Sequence, residues 1–214
     1  MAVLAIDRST DVQSVALAAK DRIVSRLFEG ADARSADWPV KIGDFLAEHG
    51  VSFGDLDRIV VGTGPGSFAG IRGALSFAQG LAIGIKSKRP ELAGEPVVYG
   101  IPSPAATVPD DGLTAVVGDA RRGLFWIVVY EGARTVTELH LVPRDGLPGA
   151  VPDGAAVVTP DGARIGDALR EMFGQRFAGD RFPSAERIVR LAIGDSWMLT
   201  PEPLPIYLSP AVRG

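Results

Sequence analysis

Polar side chains follow a predicted buried strand near the start of this chain, where they could hold a phosphate group. Asp7 ends the apolar run 3–6, and Ser9 and Thr10 follow it in a polar turn. Asp7, Ser9 and Thr10 are therefore candidates for contact with a nucleotide or a phosphate. The alternative is that Asp7 accepts hydrogen bonds from the backbone of its own turn, as aspartate commonly does.

A second group of charged residues follows the strand predicted at 113–117. Asp119 ends that strand, and Arg121 and Arg122 occupy the next turn. Guanidinium groups bind phosphate or an acidic partner, although arginines in a turn are as often simply solvated. Asp161 precedes a predicted helix and could contact a nucleotide, but a turn followed by a helix cap is the simpler explanation.

Composition excludes several kinds of chemistry. The chain has no cysteine, so thiolate catalysis, disulfides and cysteine-bound zinc are excluded. His49 and His140 are far apart and have no partner at metal-ligand spacing, so we expect no metal site and no protease mechanism. The net charge of −4 argues against binding nucleic acid through a basic surface. No uninterrupted apolar run of about 18 residues occurs, so no membrane span is expected, and a cytoplasmic location is predicted.

The elements that must position these residues are clearest over 59–85. The segment IVVGTGPGSFAGIRGALSFAQGLAIGI reads as a strand, a tight glycine-rich loop and a helix, with Ser67 able to cap the helix. Such a loop directs backbone N–H groups at whatever lies above it. It lacks the GxxxxGK[ST] order, however, so it is not a P-loop. One apolar stripe runs along the helix through Ile71, Leu75, Ala78, Ala82 and Ile85.

The helix also contains Gly73, Gly80 and Gly84. Each costs about 1 kcal/mol of helix stability relative to alanine. Three explanations remain open: tight packing on the chain's own sheet, close contact with another subunit, and a phosphate cradle. A subunit face would lead the isolated protein to pair with a second copy of itself.

The predicted elements repeat a β-β-β-α-β-α order. The first half has strands at 3–6, 12–18, 23–28, 59–61 and 97–99, and helices at 38–49 and 67–85. The second half repeats this order in part, with strands at 113–117, 124–130, 135–142 and 157–158, and helices at 163–173 and 183–193. A proline-rich stretch at 101–112 separates the halves. We therefore predict subdomains at 1–100 and 101–214, the second ending in an extended tail.

Several segments resemble the TsaB family. They are LAIDRST (4–10), GTGPGSFAGIRGALSFAQGLAIG (62–84), VVGDARRGLFWIVVY (116–130), VVTPDGA (157–163) and PIYLSP (205–210). The resemblance implies an α/β fold of two ribonuclease-H-like subdomains, the actin-like ATPase (ASKHA) fold. This sequence departs from the usual family pattern at positions that touch the expected interface: Arg8, Arg34, Ala69 and Gly73-Ala74.

The resemblance also implies a function. TsaB-like proteins are noncatalytic partners that pair with the catalytic subunit TsaD and activate it for threonylcarbamoyladenosine modification of tRNA, at the adenosine next to the anticodon. A TsaE-like ATPase joins the cycle, ATP and Mg²⁺ bind the partner subunits, and tRNA is contacted only through the complex. A phosphotransferase or ATPase of the same fold is the alternative.

The resemblance places the partner interface on the loop and helix of 62–84, joined by the helix at 38–49. The expected interface residues are Ser67, Phe68, Ile71, Gly73, Ala74, Phe77, Ala78, Gly80 and Leu81. No catalytic residue, metal ligand or cofactor of its own is expected on this chain.

Overall fold

The structure, a computed structural model, describes residues 1–95, 97–194 and 198–208. The described strands are β1 (Val3–Asp7), β2 (Gln13–Ala19), β3 (Arg22–Phe28), β4 (Arg58–Gly62), β5 (Val98–Ile101), β6 (Leu113–Arg121), β7 (Leu124–Glu131), β8 (Arg134–Pro143), β9 (Ala156–Thr159), β10 (Phe177–Asp180) and β11 (Thr200–Pro201). The α-helices are α1 (Gly30–Arg34), α2 (Trp38–Glu48), α3 (Phe68–Lys88), α4 (Leu147–Ala150), α5 (Gly162–Phe173) and α6 (Ala185–Ile193).

The chain forms two compact units. The first contains Met1–Ser103 and Pro183–Ile206, and the second contains Pro104–Phe182 and the described residues from Tyr207. The predicted division into 1–100 and 101–214 therefore needs correction at the C-terminal end, because α6 packs on β1 and β2 of the first unit. The end of the predicted tail, 209–214, lies outside the described residues.

The first unit is built on a sheet with the strand order β11-β5-β4-β1-β2-β3. β1, β2 and β3 form an antiparallel meander, while β4 and β5 run parallel to β1. Every residue of β1 is buried, as expected for a strand with both sheet faces covered. Leu4 and Ile6 contact the core beneath α2 and α3, and the alternate residues Val3 and Ala5 are equally buried.

The second unit repeats this arrangement, with the strand order β10-β9-β6-β7-β8. β6, β7 and β8 form the antiparallel meander, and β9 and β10 extend the sheet in parallel on the other side of β6. The same order in both units confirms the predicted α/β fold of two ribonuclease-H-like halves. The strand predicted at 97–99 is β5, which lies in the first sheet with the short β11, and the second sheet contains β10, which was not among the predicted strands.

Two local differences from the sequence prediction have a physical cause. Residues 30–34 belong to none of the predicted elements but form α1, where Ala33 is buried and its carbonyl accepts a hydrogen bond from Arg8. α6 begins at the predicted place but covers the first sheet. Hydrogen bonds hold its start there, because the Ser14 hydroxyl donates to the carbonyl of Pro183 and accepts from the N–H of Ala185, both at 2.9 Å.

α3 is the longest helix, with 21 residues. By length and composition alone it could also cross a membrane, since its most apolar window has a mean hydropathy of 1.3. A single helix of this kind is weak support for a membrane span, because the core helix of a soluble protein passes the same test. One side of α3 packs on the first sheet, where Ile71, Leu75 and Ile85 are buried.

Candidate functional site

The candidate site is built where β1 and β4 end side by side. These strands are parallel neighbours, so Asp7 at the end of β1 lies next to Gly62 at the end of β4. Asp7 is fully buried, and its Oδ1 accepts hydrogen bonds from the Ser9 backbone N–H (2.8 Å) and the Ser9 hydroxyl (2.6 Å). Its Oδ2 is buried and has no hydrogen-bond partner among the described residues. A Cβ atom at Gly62 would collide with this oxygen, so glycine is required there.

Complete burial raises the pKa of the Asp7 carboxyl group above 3.8, and nearby Ser103 and Ser9 offset only part of the effect. A raised pKa means that the folded state binds the proton more tightly than the unfolded chain. The stability contributed by this group is therefore present below its unfolded pKa and is lost as the pH rises through its folded pKa.

We therefore expect Asp7→Asn to change the pH dependence of stability. The free energy of unfolding of the native protein, minus that of the variant, should fall as the pH rises from about 4 towards 8. Urea denaturation at a series of pH values measures this difference, and Asp11→Asn, exposed on the same turn, controls for the loss of one acidic group. A difference that grows with pH would show that the buried carboxyl group favours its charged form.

The turn after Asp7 is closed by the glycine-rich loop. The Ser67 N–H donates to the Ser9 carbonyl at 2.7 Å, and Cβ atoms at Gly66 and Gly70 would overlap the carbonyls of Ser9 and Arg8. The Thr10 hydroxyl donates to the carbonyl of Val12 at 2.6 Å. The Ser9 and Thr10 hydroxyls therefore both donate hydrogen bonds within the chain, and the glycine-rich loop lies directly against their turn.

The second unit has an equivalent turn that is closed by an ion-pair network. Asp119 Oδ2 contacts Arg164 Nε at 3.0 Å and Arg121 Nη1 at 3.3 Å. Asp161 pairs with Arg164 and also accepts a hydrogen bond from the Asp119 backbone N–H at 2.8 Å. Burial raises the pKa of Asp161, and Arg164 opposes that rise. Of the predicted phosphate-binding arginines, Arg121 therefore pairs internally, while Arg122 lies exposed beside it.

Arg164 was not among the candidates from sequence, although its position three residues after Asp161 is a common spacing for a helical ion pair. Its guanidinium group pairs with both carboxylates of this turn. Within the ranges that the structure describes, no group of three or more His, Cys, Asp or Glu could hold a metal ion. The carboxylates of the second turn are thus paired within the chain, whereas Oδ2 of Asp7 in the first turn is not.

The predicted interface residues on α3 fall into two sets. Ile71, Ala74 and Ala78 are buried in the core of the first unit, so their assignment to an interface is corrected. Phe77 and Leu81 are partly buried against that core. The Phe77 ring packs edge-on against the rings of Trp38 (centroids 4.8 Å apart) and Phe53 (5.8 Å).

The remaining predicted interface residues lie towards solvent. Ser67 caps α3, its hydroxyl accepting a hydrogen bond from the N–H of Gly70 at 3.2 Å. Phe68 is 57% exposed, and the guanidinium group of Arg72 lies over its ring, 4.9 Å from the centroid. Gly73 is half-buried and Gly80 is exposed.

The outward side of α3 carries a row of small residues, which we call the small-residue face: Ala69, Gly73, Ser76, Gly80 and Gly84. A Cβ atom at Gly80 or Gly84 would have no heavy atom within 4 Å, and one at Gly73 would make only ordinary contacts, the nearest at 3.5 Å. Packing on the chain's own sheet therefore does not explain these three glycines. Close approach by another molecule would require such a surface without side chains.

Comparisons with known proteins agree with this fold. A family profile described as "TsaD: tRNA N6-adenosine threonylcarbamoyltransferase" matches residues 34–133. The Escherichia coli "tRNA threonylcarbamoyladenosine biosynthesis protein TsaB" is 39% identical over 85 residues, covering 39% of this chain and 36% of that protein. An uncharacterized protein of Mycobacterium leprae is 31% identical over 211 residues, covering 94% of this chain and 53% of that protein. The chain thus spans less than two thirds of the length of these relatives.

A solved structure matches over nearly the whole chain. YeaZ from Pseudomonas aeruginosa has a TM-score of 0.73 and 27% identity, and the match covers 97% of this chain and 99% of that one. These matches support a TsaB-family protein. The profile match contains the whole glycine-rich loop and α3, the segment that carries the resemblance to this family.

Proposed function

We propose that this TsaB-family protein is a noncatalytic subunit in threonylcarbamoyladenosine modification of tRNA. In this proposal it pairs with a TsaD-like catalytic subunit through α3, works with a TsaE-like ATPase in the cytoplasm, and contacts tRNA only through the complex. It binds no cofactor of its own and pairs with a second copy when its partner is absent. Its similarity to the threonylcarbamoyladenosine biosynthesis proteins of Escherichia coli and Buchnera aphidicola supports the pathway.

The observation that carries the proposal is the small-residue face. The glycines at 73, 80 and 84 lower helix propensity by about 1 kcal/mol each, and nothing within the described parts of the chain requires them. A helix of a second subunit could approach such a face closely enough to pack backbone against backbone. The same face is open to a second copy of this chain, which would compete with the catalytic partner.

The closed turns support the noncatalytic part of the proposal. Phosphoryl transfer needs donors aimed at phosphate, a metal and a base for the nucleophile. Here the Ser9 N–H is directed at Asp7, and Arg164 occupies the two carboxylates of the second turn. The phosphotransferase or ATPase alternative rests on Asp7. Its Oδ2 is buried and makes no hydrogen bond within the described chain, so it could accept one from a bound ligand.

A reconstitution tests the proposal. We expect purified protein to turn over no ATP alone, whereas a mixture of this protein, a TsaD-like subunit and a TsaE-like ATPase should modify tRNA when supplied with threonylcarbamoyl-adenylate. Omitting this protein should lower the yield of modified nucleoside, measured by mass spectrometry, at least about tenfold. ATP turnover by the isolated protein that Asp7→Asn abolishes would instead establish the alternative, and unchanged modification without the protein would refute the role in the pathway.

A further inference from the structure

Arg8 is a buried cation without an anionic partner. Only 9% of the residue is exposed, and no carboxylate among residues 1–95, 97–194 and 198–208 forms an ion pair with it. Burying a charge away from water costs free energy unless an opposite charge or a full set of hydrogen bonds compensates it. The free chain supplies only part of that compensation.

The contacts of the guanidinium group are all with neutral groups. Nε donates to Gln13 Oε1 at 2.5 Å, and Nη2 donates to the Ala33 carbonyl at 3.1 Å. The group lies over the indole of Trp38, 4.1 Å from the ring centroid. Burial lowers the pKa of Arg8 to about 10, so it remains charged at neutral pH. Arginine has five N–H donors, and Nη1 makes no hydrogen bond within the described chain.

The unused Nη1 lies beneath the small-residue face. It is 3.5 Å from the place that a Cβ atom at Gly73 would occupy, and Trp38 Cζ2 is 4.0 Å from the same place. Because Gly73 has no side chain, the helix does not cover Nη1 at this point. A side chain from a molecule docked on α3 could therefore reach the guanidinium group between Gly73 and Trp38.

We infer that the subunit docked on α3 inserts a carboxylate side chain over Gly73 to pair with Nη1 of Arg8. This inference rests on the proposed function, because it specifies what the catalytic partner must present to this face. A carboxylate fits because the partner is a protein and because carboxylate oxygens accept arginine N–H donors in parallel. In the free chain, Gln13, Ala33 and Trp38 would hold the Arg8 guanidinium group in place. Its positive charge would be paired with a carboxylate only in the complex.

Replacing Arg8 with methionine separates this role from a structural one. We expect Arg8→Met to leave the urea midpoint of the free protein unchanged or higher, because an uncompensated buried charge is removed. The same substitution should raise the Kd for the TsaD-like subunit by about 30-fold or more, because it leaves the partner's carboxylate buried and unpaired. Arg8→Lys keeps the charge but loses the fork of donors. Its Kd for the TsaD-like subunit should therefore lie between those of the native protein and Arg8→Met.

A double-mutant cycle identifies the partner group. Each acidic residue of the partner's docking surface is changed to its amide, alone and together with Arg8→Met, and Kd is measured by calorimetry. One pair should be strongly non-additive, whereas additive effects throughout would overturn the inference. If both Arg8 variants unfold, Gly73→Ala tests the same point: it should cover Nη1, keep the fold and weaken binding, and unchanged affinity would overturn the inference.

The outcomes distinguish the two proposals. If the native protein does not bind the TsaD-like subunit, the proposed function fails. If it binds and Arg8→Met binds equally well, the proposed function survives and the carboxylate inference is refuted. If Arg8→Met weakens only self-association, measured by sedimentation, the group that meets Arg8 belongs to a second copy and the inference as stated is again refuted.

Discussion

Gly80→Trp should strongly weaken binding to the catalytic subunit while leaving this protein folded. A Cβ atom at Gly80 meets no heavy atom within 4 Å, so the free chain has room for a larger side chain. In a complex held together by close helix contact, the indole would occupy the space of the partner. We expect Kd to rise by about 100-fold or more, equivalent to about 2.7 kcal/mol of binding free energy. Calorimetric titration of the purified subunits measures it.

Gly94→Trp is the matched control. Gly94 also has open space around its Cβ position, but it lies after α3 and outside the small-residue face. This variant should bind the partner as the native protein does. If Gly80→Trp binds equally well, the small-residue face is not the docking surface. If Gly80→Trp unfolds while Gly94→Trp does not, the outer side of α3 has a structural role in the free chain.

The same substitution at two glycines of α3 should have opposite effects on stability. Gly80→Ala should raise the free energy of unfolding by about 1 kcal/mol, because alanine favours the helix and meets nothing. Gly70→Ala should lower it by about 3 kcal/mol, because its Cβ would overlap the carbonyl oxygen of Arg8, which is backbone and cannot swing aside. Urea denaturation of the two variants and the native protein measures both changes.

The comparison also tests how the loop is held. A loss of stability at Gly70 would mean that the start of α3 must lie directly on the turn 8–9, as the Ser67–Ser9 hydrogen bond indicates. If Gly70→Ala were neutral, the loop could move away from the turn, and the turn could open towards a phosphate. A loss of stability in Gly80→Ala would show that the exposed glycine is needed inside the chain, against the interface proposal.

The sequence was sufficient to predict the β-β-β-α-β-α order in the first half and part of it in the second, and the family resemblance implied the ribonuclease-H-like fold. Strands such as β1 are continuous apolar runs, and α3 repeats apolar residues at helical spacing; these patterns arise from local geometry and need no knowledge of the neighbours. The resemblance to the TsaB family was visible in the glycine-rich loop and the helix after it. That Asp7 lies beside this loop was decided by the parallel pairing of β1 with β4, which the sequence did not predict.

Other features depend on which surfaces meet. The apolar stripe of α3 does not say which side packs on the sheet, so Ile71, Ala74 and Ala78 were predicted at the interface although they are core. α6 packs on the first sheet, and its start is held there by hydrogen bonds to Ser14, which is about 170 residues away in sequence. No local pattern encodes such a contact.

Sequence alone thus determined most of the longer elements and their order, and the resemblance to a family, because hydrophobic periodicity and turn residues act over a few neighbouring positions. Only the tertiary structure decided that Arg8 is buried against Trp38 without an anion, that Arg164 closes the second turn, and that Gly80 faces open space. The physical reason is that burial, charge pairing and free volume belong to the packed arrangement of distant segments, and a residue's type does not fix them.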